Sequence, residues 1–195
     1  QPIRVEVTRA AFEDPTVGQE TVKPLFFELA DLLLQRASLT EDNKAVEAYL
    51  LAARDAIEAY KTAELRDYFR DDCVDAVRAR LTTFDRLSPD TAVIYPIMFS
   101  SRLELLMSLP SGLKRISVPV TADQLTKEIR AFRRVVEKRT TREYLPHAQQ
   151  LYDWLVRPLE ADLSKLQITT LVFVPDSALR TIPLAALHDG STFLI

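Results

Sequence analysis

The sequence has few of the residues on which most enzyme sites depend. Its 195 residues include one cysteine, Cys73, so an internal disulfide is excluded. The two histidines, His147 and His188, have no histidine partner at i+4 and no cysteine close in sequence, so we expect no metal site and no cofactor. Only three glycines are present, and no glycine-rich phosphate loop, Gly-x-Ser-x-Gly elbow or His-Glu-x-x-His motif occurs. The sequence therefore lacks the common motifs of nucleotide-binding proteins, serine hydrolases and zinc proteases.

The chain also lacks a dominant charge and a long apolar run. It carries 25 Lys and Arg residues against 28 Asp and Glu residues, a formal net charge of -3. That balance gives no field that would gather nucleic acid or anionic lipid over the whole surface. No stretch approaches the roughly 20 apolar residues that a membrane span needs. Since no signal-like start is visible either, we expect a cytoplasmic protein that does not contact membranes.

The front of the chain has a helical pattern. Between Pro24 and Pro89 there is neither glycine nor proline, which favours long helices. Leu25, Leu29 and Leu32 recur at helical spacing, and Ser38-Leu-Thr-Glu41 has the pattern of a capping box that begins a second helix. We therefore predict a helical hairpin. The apolar stripe of the second helix suits a helix of about 40 residues, or one that bends near residues 61–64. This stripe comprises Val46, Leu50, Ala53, Ile57, Tyr60, Leu65, Phe69, Cys73, Val77, Leu81 and Phe84.

After Pro89 the apolar period changes from helical to two. Three alternating segments are separated by Ser100-Ser101 and by Pro110-Ser-Gly112, which are residues typical of turns. We predict a three-stranded antiparallel meander. Pro96 and Pro119 have no amide hydrogen to donate to a ladder, so each should face an edge or a bulge. The alternating residues are Val93, Tyr95, Ile97 and Phe99, then residues 102–107, then Ile116, Val118 and Val120.

Two helices, a strand and a hairpin are predicted after the meander. Thr121-Ala-Asp-Gln124 is a second capping box, followed by a helical stripe, and Pro146 suits the first turn of another helix. Pro158 either kinks that helix or begins a short new one. Leu171-Val-Phe-Val174 is apolar on both faces, as in a central strand covered by helices, and Asp189-Gly190 predicts a hairpin. The two stripes are Leu125, Ile129, Phe132 and Val136, and Ala148, Leu151 and Leu155.

Candidate reactive side chains are few. Cys73 follows two aspartates on a predicted apolar stripe, and both burial and nearby carboxylates raise the pKa of a thiol, so we interpret it as structural. The one charge cluster of note is a basic run after the second capping box. We interpret it as the solvated face of a helix, with cations near the helix C-terminus, and an acidic partner or nucleic acid is the alternative. The run comprises Arg130, Arg133, Arg134, Lys138, Arg139 and Arg142.

The last residues suggest an unfinished sheet. Residues 193–195 are apolar and follow a hairpin pattern, and a bare strand edge is a template for aggregation unless another segment pairs with it. We therefore expect this chain to be the front part of a larger domain, and its start at Gln1 rather than Met agrees with this. The alternative is a complete protein whose last strand is docked internally.

One block of the sequence resembles a known family. The segment Leu171-Val-Phe-Val-Pro-Asp-Ser-Ala-Leu-Arg180, continuing as Thr181-Ile-Pro-Leu-Ala-Ala-Leu-His-Asp-Gly190, resembles the opening of a CHAT domain, a family similar to caspases and separases. Phe27-Glu-Leu-Ala-Asp-Leu-Leu-Leu-Gln-Arg-Ala37 and Glu64-Leu-Arg-Asp-Tyr-Phe-Arg-Asp-Asp-Cys73 look like the tetratricopeptide-like helices that precede such domains. The resemblance implies two domains: a helical lead-in over residues 1–88 and the N-terminal part of a caspase-like α/β domain over residues 89–195.

The resemblance also implies a chemistry. CHAT-type peptidases use a His-Cys dyad, in which the histidine takes the thiol proton and the thiolate attacks a peptide carbonyl. The dyad residues of the family lie beyond the segment that matches residues 183–187, and neither His188 nor Cys73 matches them. We therefore assign no catalytic, cofactor-binding or metal-binding residue in this chain.

These observations lead to one main expectation and two alternatives. We expect the N-terminal portion of a CHAT-type cysteine peptidase, inactive alone, whose partners are the remaining C-terminal part of the domain and a protein or peptide substrate of the parent. The first alternative is a non-catalytic interaction module related to CHAT domains, whose helices and basic face bind another protein. The second is a product of processing that stays bound to its other half.

Overall fold

The computed structural model describes residues 18–69, 88–109, 111–138 and 142–194. The chain divides into two compact units, Gln1–Arg86 and Leu87–Ile195, which we call the helical unit and the sheet unit. Helices come first, and a mixed sheet with further helices follows. The predicted α/β class with N-terminal helices is confirmed.

The helical unit contains a pair of helices, α1 (Gly18–Ser38) and α2 (Asn43–Phe69), which pack against each other. The predicted hairpin is therefore confirmed, and α2 continues as a helix through residues 61–64. The part of the predicted stripe of α2 that lies outside the described residues is Cys73, Val77, Leu81 and Phe84. Within the described residues, the stripe of α2 is buried at Leu50, Ala53, Ile57 and Tyr60.

The leucines whose spacing predicted α1 are not the residues that it buries. Leu25, Leu29 and Leu32 are 53%, 48% and 60% exposed, and the buried residues of α1 are Ala30, Leu34 and Ala37. Both sets recur at helical spacing, so periodicity alone cannot choose between them. Small side chains allow two helix axes to approach closely, and α2 also presents buried alanines, Ala53, Ala56 and Ala59. The leucine face (Leu25, Leu29 and Leu32) therefore points away from the core of the hairpin.

The first predicted capping box was also wrong. Ser38 and Thr40 do not cap α2: their hydroxyls donate to the carbonyls of Leu34 and Arg36, 3.1 and 2.7 Å away, in the last turn of α1. Asp42 takes the capping role instead, since its carboxylate accepts the amide of Lys44 at 3.1 Å. Serine and threonine can bond to the preceding turn as readily as to the following one, and here they extend α1.

The sheet unit contains, within the described residues, a four-stranded sheet of order β3-β2-β1-β4. The strands are β1 (Thr91–Met98), β2 (Leu103–Leu109), β3 (Gly112–Val118) and β4 (Thr170–Phe173). β1, β2 and β3 are antiparallel neighbours, so the predicted meander is confirmed, and β4 pairs with β1 in parallel.

The prolines lie where a missing donor is tolerated. Pro96 sits in β1 opposite Leu105 of β2, and the bond from the Phe99 amide to the Arg102 carbonyl shows that the odd-numbered residues of β1 bond to β2. The nitrogen of Pro96 therefore faces the β4 side, beyond the last β4 residue paired with β1. Pro119 lies just after the end of β3. Both positions agree with the prediction of an edge.

Within the sheet that the structure describes, β4 does not hold the inner position that its apolar sequence predicts. It lies at the end of the described sheet, and its residues are exposed or partly buried. β1 lies between β2 and β4, and its residues 91–97 are buried on both faces. Apolar residues on both faces of a segment indicate helices above and below it, but they do not reveal whether a strand lies on each side.

The helices of the sheet unit follow their sequence patterns closely. α3 (Ala122–Val136) begins with the predicted capping box: the Gln124 amide donates to Thr121 Oγ1 at 3.2 Å, and the Thr121 amide donates to Gln124 Oε1 at 3.0 Å. α4 (Tyr144–Leu155) contains Pro146 in its first turn, and Pro158 begins a new 3-10 helix (Arg157–Leu159) that leads into α5 (Glu160–Lys165). One face of the sheet, α3 and α4 share a core that includes Ile94, Leu105, Met107, Leu125, Ile129, Phe132, Leu151 and Leu155.

Among the described residues, no helix combines the length and the apolar character needed to cross a bilayer.

Candidate functional site

The segment after β4 begins with a turn held by a buried aspartate. Asp176 is 6% exposed, and its carboxylate accepts the Ser177 hydroxyl at 3.0 Å and pairs with the Arg180 guanidinium at 3.3 Å. Arg180 also donates to the Pro175 carbonyl at 3.3 Å. Ser177 has a φ of 49°, which a serine tolerates less readily than glycine. The turn is therefore fixed by side-chain contacts before the 3-10 helix Ser177–Thr181 begins.

The predicted Asp-Gly hairpin is present, with little strand on either side. Asp189 accepts the amides of Ser191 and Thr192 at 2.5 and 2.6 Å, and these bonds lower the pKa of its carboxyl group. Gly190 has a φ of 112°, a region that favours glycine. His188 and Phe193 form an isolated antiparallel bridge, so residues 193–194 pair with the chain's own preceding residues.

Arg157 joins the hairpin to α4. Its guanidinium donates to the Asp189 carbonyl at 2.7 Å and to Asp153 Oδ1 at 2.5 Å, and it lies 5.2 Å from the ring centre of Tyr152. The Tyr152 hydroxyl donates to Glu160 at 2.8 Å. Burial, with the contribution of that hydrogen bond, raises the pKa of Tyr152 to about 12, so the phenol remains a donor at neutral pH.

The two histidines are held by separate partners. His188 is buried, and its Nδ1 accepts a hydrogen bond from the Gly190 amide at 3.0 Å. The His188 and Phe193 rings form an edge-to-face contact. Because Nδ1 accepts this bond, a neutral His188 carries its proton on Nε2. His147 Nδ1 lies 2.6 Å from Glu128 Oε1, which links α4 to α3. Neither histidine contacts a described thiol, and Cys73 lies outside the described residues.

The sheet carries a buried carboxylate that the sequence patterns did not single out. Glu104 of β2 is fully buried and accepts hydrogen bonds from Arg102 at 2.5 Å and from Arg115 at 2.6 and 2.8 Å. Burial alone would raise the pKa of Glu104, but the bonds from Arg115 and Arg102 outweigh it and the pKa is lowered. A glutamate within the apolar run 103–107 was the available indication of a paired charge.

The basic run lies mainly on the surface of α3. Arg130, Arg133 and Arg134 are exposed on the helix, and Lys138 and Arg142 are exposed between α3 and α4, while Arg139 lies outside the described residues. Arg133 pairs with Glu137 at 3.3 Å. The predicted solvated face is therefore confirmed for the described members of the run.

These geometries do not bring together a set of catalytic groups among the residues that the structure describes. Over the same residues, no group of three or more His, Cys, Asp or Glu side chains could hold a metal ion. The polar contacts at Asp176, Asp189 and Arg157 instead fix the course of the chain after β4. Arg157 was missed from the sequence because it carries no pattern that distinguishes it from an ordinary surface charge.

Comparison with known proteins gives one match. Residues 145–195 match the family model of the CHAT domain, so the matched segment starts in α4 and includes the whole Asp176 turn and the hairpin. The resemblance predicted from residues 171–190 is confirmed over this segment. No curated protein and no solved structure matches the chain.

Proposed function

We propose that this chain is the N-terminal portion of a CHAT-type cysteine peptidase and is inactive alone. The match of residues 145–195 to the CHAT domain is the observation that carries this proposal. The parent would cleave a protein or peptide substrate in the cytoplasm through a histidine and a cysteine supplied by the remaining part of the domain. On this proposal, residues 1–88 are a tetratricopeptide-like lead-in to the peptidase domain.

The edge of β4 supports a role for the rest of the domain as a partner. The Thr170 amide donates to the carbonyl of Asp90, just before β1, at 3.1 Å, and the Val174 amide donates to the carbonyl of Ile94 in β1 at 2.9 Å. The backbone groups of Leu171 and Phe173 therefore face the other side. No described strand pairs with β4 on that side. A further strand added there would pair with the backbone groups of Leu171 and Phe173. It would also complete the burial of their side chains, which are half-buried.

The arrangement of the histidines supports inactivity of the isolated chain. A His-Cys dyad needs a ring nitrogen within hydrogen-bond reach of a thiol. His188 uses Nδ1 to accept a backbone amide, and His147 uses Nδ1 in its contact with Glu128. Both rings are therefore fixed by contacts that serve the hairpin and the packing of α4 on α3.

Co-expression tests this proposal. The chain alone, the downstream region of its parent gene alone, and the two together are assayed against a library of quenched fluorescent peptides. We expect cleavage only when both are present, and loss of cleavage when the downstream cysteine is replaced by alanine. Cys73→Ala is the matched control and should leave cleavage unchanged. Cleavage by the chain alone, or a parent without a downstream histidine and cysteine, would overturn the proposal.

The second candidate is a non-catalytic interaction module, and the leucine face of α1 favours it. Its three leucines are each about half exposed on a helix whose other face is already packed. Contiguous exposed apolar patches of a few hundred Å² are typical of protein interaction sites. An apolar helix of another protein is the partner that such a face fits.

A hydrophobic dye measures this face directly. The double variant Leu29→Gln/Leu32→Gln should bind less anilinonaphthalene sulfonate than the unmodified chain, whereas Glu28→Gln/Gln35→Ala on the same helix should bind as much. Equal dye binding by all three proteins would remove the support that the leucine face gives to this candidate. The sequence of the parent gene beyond the codon for Ile195 decides between the two functions, since a parent without the dyad favours the module.

A further inference from the structure

We propose that the leucine face of α1 is a self-association surface, on which a second copy of this chain lays its own α1 in the antiparallel direction. This inference develops the second candidate function, because it names the partner of the same surface. It does not depend on the peptidase proposal, since it rests on no catalytic group. Two properties of α1 point to a second copy: the spacing of its exposed apolar residues and the position of the two charges beside them.

The leucine face has the spacing of a seam between paired helices. Successive members of the seam are three, four, three and four residues apart, which averages about 3.5 residues, the period at which two helices keep the same faces in contact. The buried residues of α1 lie on a different side of the helix, so the seam is open to a second helix. Its members are Val22, Leu25, Leu29, Leu32 and Arg36.

Two charged residues of opposite sign accompany the leucines. Arg36 is a member of the seam, Glu28 lies beside Leu25 and Leu29, and both charged residues are exposed. They are eight residues apart, or about 12 Å along the helix, and both side chains lean towards the helix N-terminus, so they do not meet within α1. Among the residues that the structure describes, neither has an ion-pair partner. Each charge is therefore available to a second molecule.

A two-fold antiparallel copy brings these two charges together. With Leu29 of one copy opposite Leu32 of the other, Arg36 lies opposite Leu25, and Glu28 of that other copy is three residues further along, or about 4.5 Å. Because side chains lean towards the N-terminus of their own helix, Arg36 and the facing Glu28 lean towards each other. Two-fold symmetry makes this contact twice. The same face of α1 is therefore complementary to itself in charge as well as in apolar surface.

Other occupants fit this face less well. In a parallel pair, each Arg36 would face the Arg36 of the other copy within the seam, and like charges there disfavour association. An unrelated apolar helix would cover the leucines, but it would also cover Arg36 without supplying a carboxylate. The antiparallel second copy meets both requirements, because it brings leucines and a carboxylate on one helix.

Sedimentation velocity of the full chain over a range of concentrations tests the proposal. The seam spans only about four helical turns, so we expect a reversible dimer that forms at micromolar concentrations or above. Leu29→Gln/Leu32→Gln should remain monomeric throughout, because it removes the apolar centre of the seam. Glu28→Arg and Arg36→Glu should each weaken the dimer at least about fivefold, since each variant turns two attractions into two repulsions.

The matched controls are Glu47→Arg and Lys44→Glu, which make the same changes of charge at exposed positions of α2. Each control should change the dissociation constant of the dimer less than about twofold, because only the net charge differs. Losses in the controls equal to those in the seam variants would overturn the proposal.

An equimolar mixture of Glu28→Arg and Arg36→Glu gives the decisive measurement. In a mixed pair, each reversed charge meets a charge of opposite sign, so the mixture should dimerise about as tightly as the unmodified chain although neither variant does so alone. A misfolded variant would not produce this rescue. Absence of rescue, or an unmodified chain that is monomeric at every concentration, would overturn the proposal. A monomeric chain that still binds the hydrophobic dye would leave the second candidate function standing, with a different protein as the partner.

Discussion

Leucines of the sheet unit and of the helical unit have different environments. Leu103, Leu105 and Leu106 of β2 are fully buried, whereas Leu25, Leu29 and Leu32 of α1 are about half exposed. β2 lies between two strands and has helices over one face, so its side chains have neighbours on several sides. Within the helical unit, α1 packs against α2, and the interface between them uses small residues. The comparison teaches that a helix apolar on two faces can bury only one of them in a hairpin.

The largest predicted effect comes from truncating one leucine in each unit. Leu105→Ala should lower the free energy of unfolding by about 2–5 kcal/mol, because it removes buried methyl groups and leaves a cavity. Leu29→Ala should change it by less than about 1 kcal/mol, because the side chain is already half in water. Urea denaturation followed by circular dichroism measures both. Similar losses would mean that another segment covers the leucine face.

The second prediction compares a buried and an exposed carboxylate. Glu104→Gln should lower the free energy of unfolding by about 2–3 kcal/mol. It removes a charge that is buried between two arginines, and these arginines keep some contact with water. Asp55→Asn should cost less than about 0.5 kcal/mol, because Asp55 pairs with Arg54 while its own side chain is 66% exposed. Chemical denaturation at pH 7 measures both values.

The difference at Glu104 should depend on pH. The pKa of Glu104 in the folded chain lies below its ordinary value of 4.5, so its ionisation stabilises the fold fully above that value. The contribution is lost as the pH falls through the lowered folded pKa, and the stabilities of the unmodified chain and Glu104→Gln should converge there. A difference that stays constant into strong acid would contradict the charge-based explanation.

The smallest predicted effect concerns the two capping-box sequences. Thr121→Ala should lower stability by about 1 kcal/mol, because the Gln124 amide at the start of α3 loses the hydroxyl that accepts its hydrogen bond. Ser38→Ala should lower it by less than about 0.5 kcal/mol, since its hydroxyl bonds only within α1. Asp42→Ala should reproduce the loss expected of a true cap. Thermal unfolding measures all three, and a larger loss for Ser38→Ala than for Asp42→Ala would restore the original prediction.

Local patterns in the sheet unit were sufficient to predict most of its elements. The capping box at Thr121, the alternation of β1 and β2 and the proline in the first turn of α4 each depend on neighbours within a few residues. Such signals are readable because the competing structures would leave local hydrogen bonds unmade. For the same reason the Asp189-Gly190 turn was predicted at the correct position.

Features that depend on distant residues could not be predicted in this way. The choice of the alanine face of α1 depends on which residues α2 offers, and the place of β4 depends on strand order. The Arg157 contact with the hairpin joins two segments that carry no shared motif. Glu104 resembles an isolated charge in a strand until the register places Arg115 of β3 near it. Tertiary pairing, rather than propensity, decides each of these cases.

Pro96 sets the length of a strand to which it does not belong. The parallel ladder between β1 and β4 reaches the bond from the Val174 amide to the Ile94 carbonyl, and the next bond would require an amide hydrogen from Pro96. The chain therefore leaves the sheet at that point, which is where Asp176 begins its turn. Replacing Pro96 with valine would supply an amide hydrogen for one more hydrogen bond between β1 and β4. The proline ring in β1, far upstream in the sequence, therefore fixes where the turn after β4 begins.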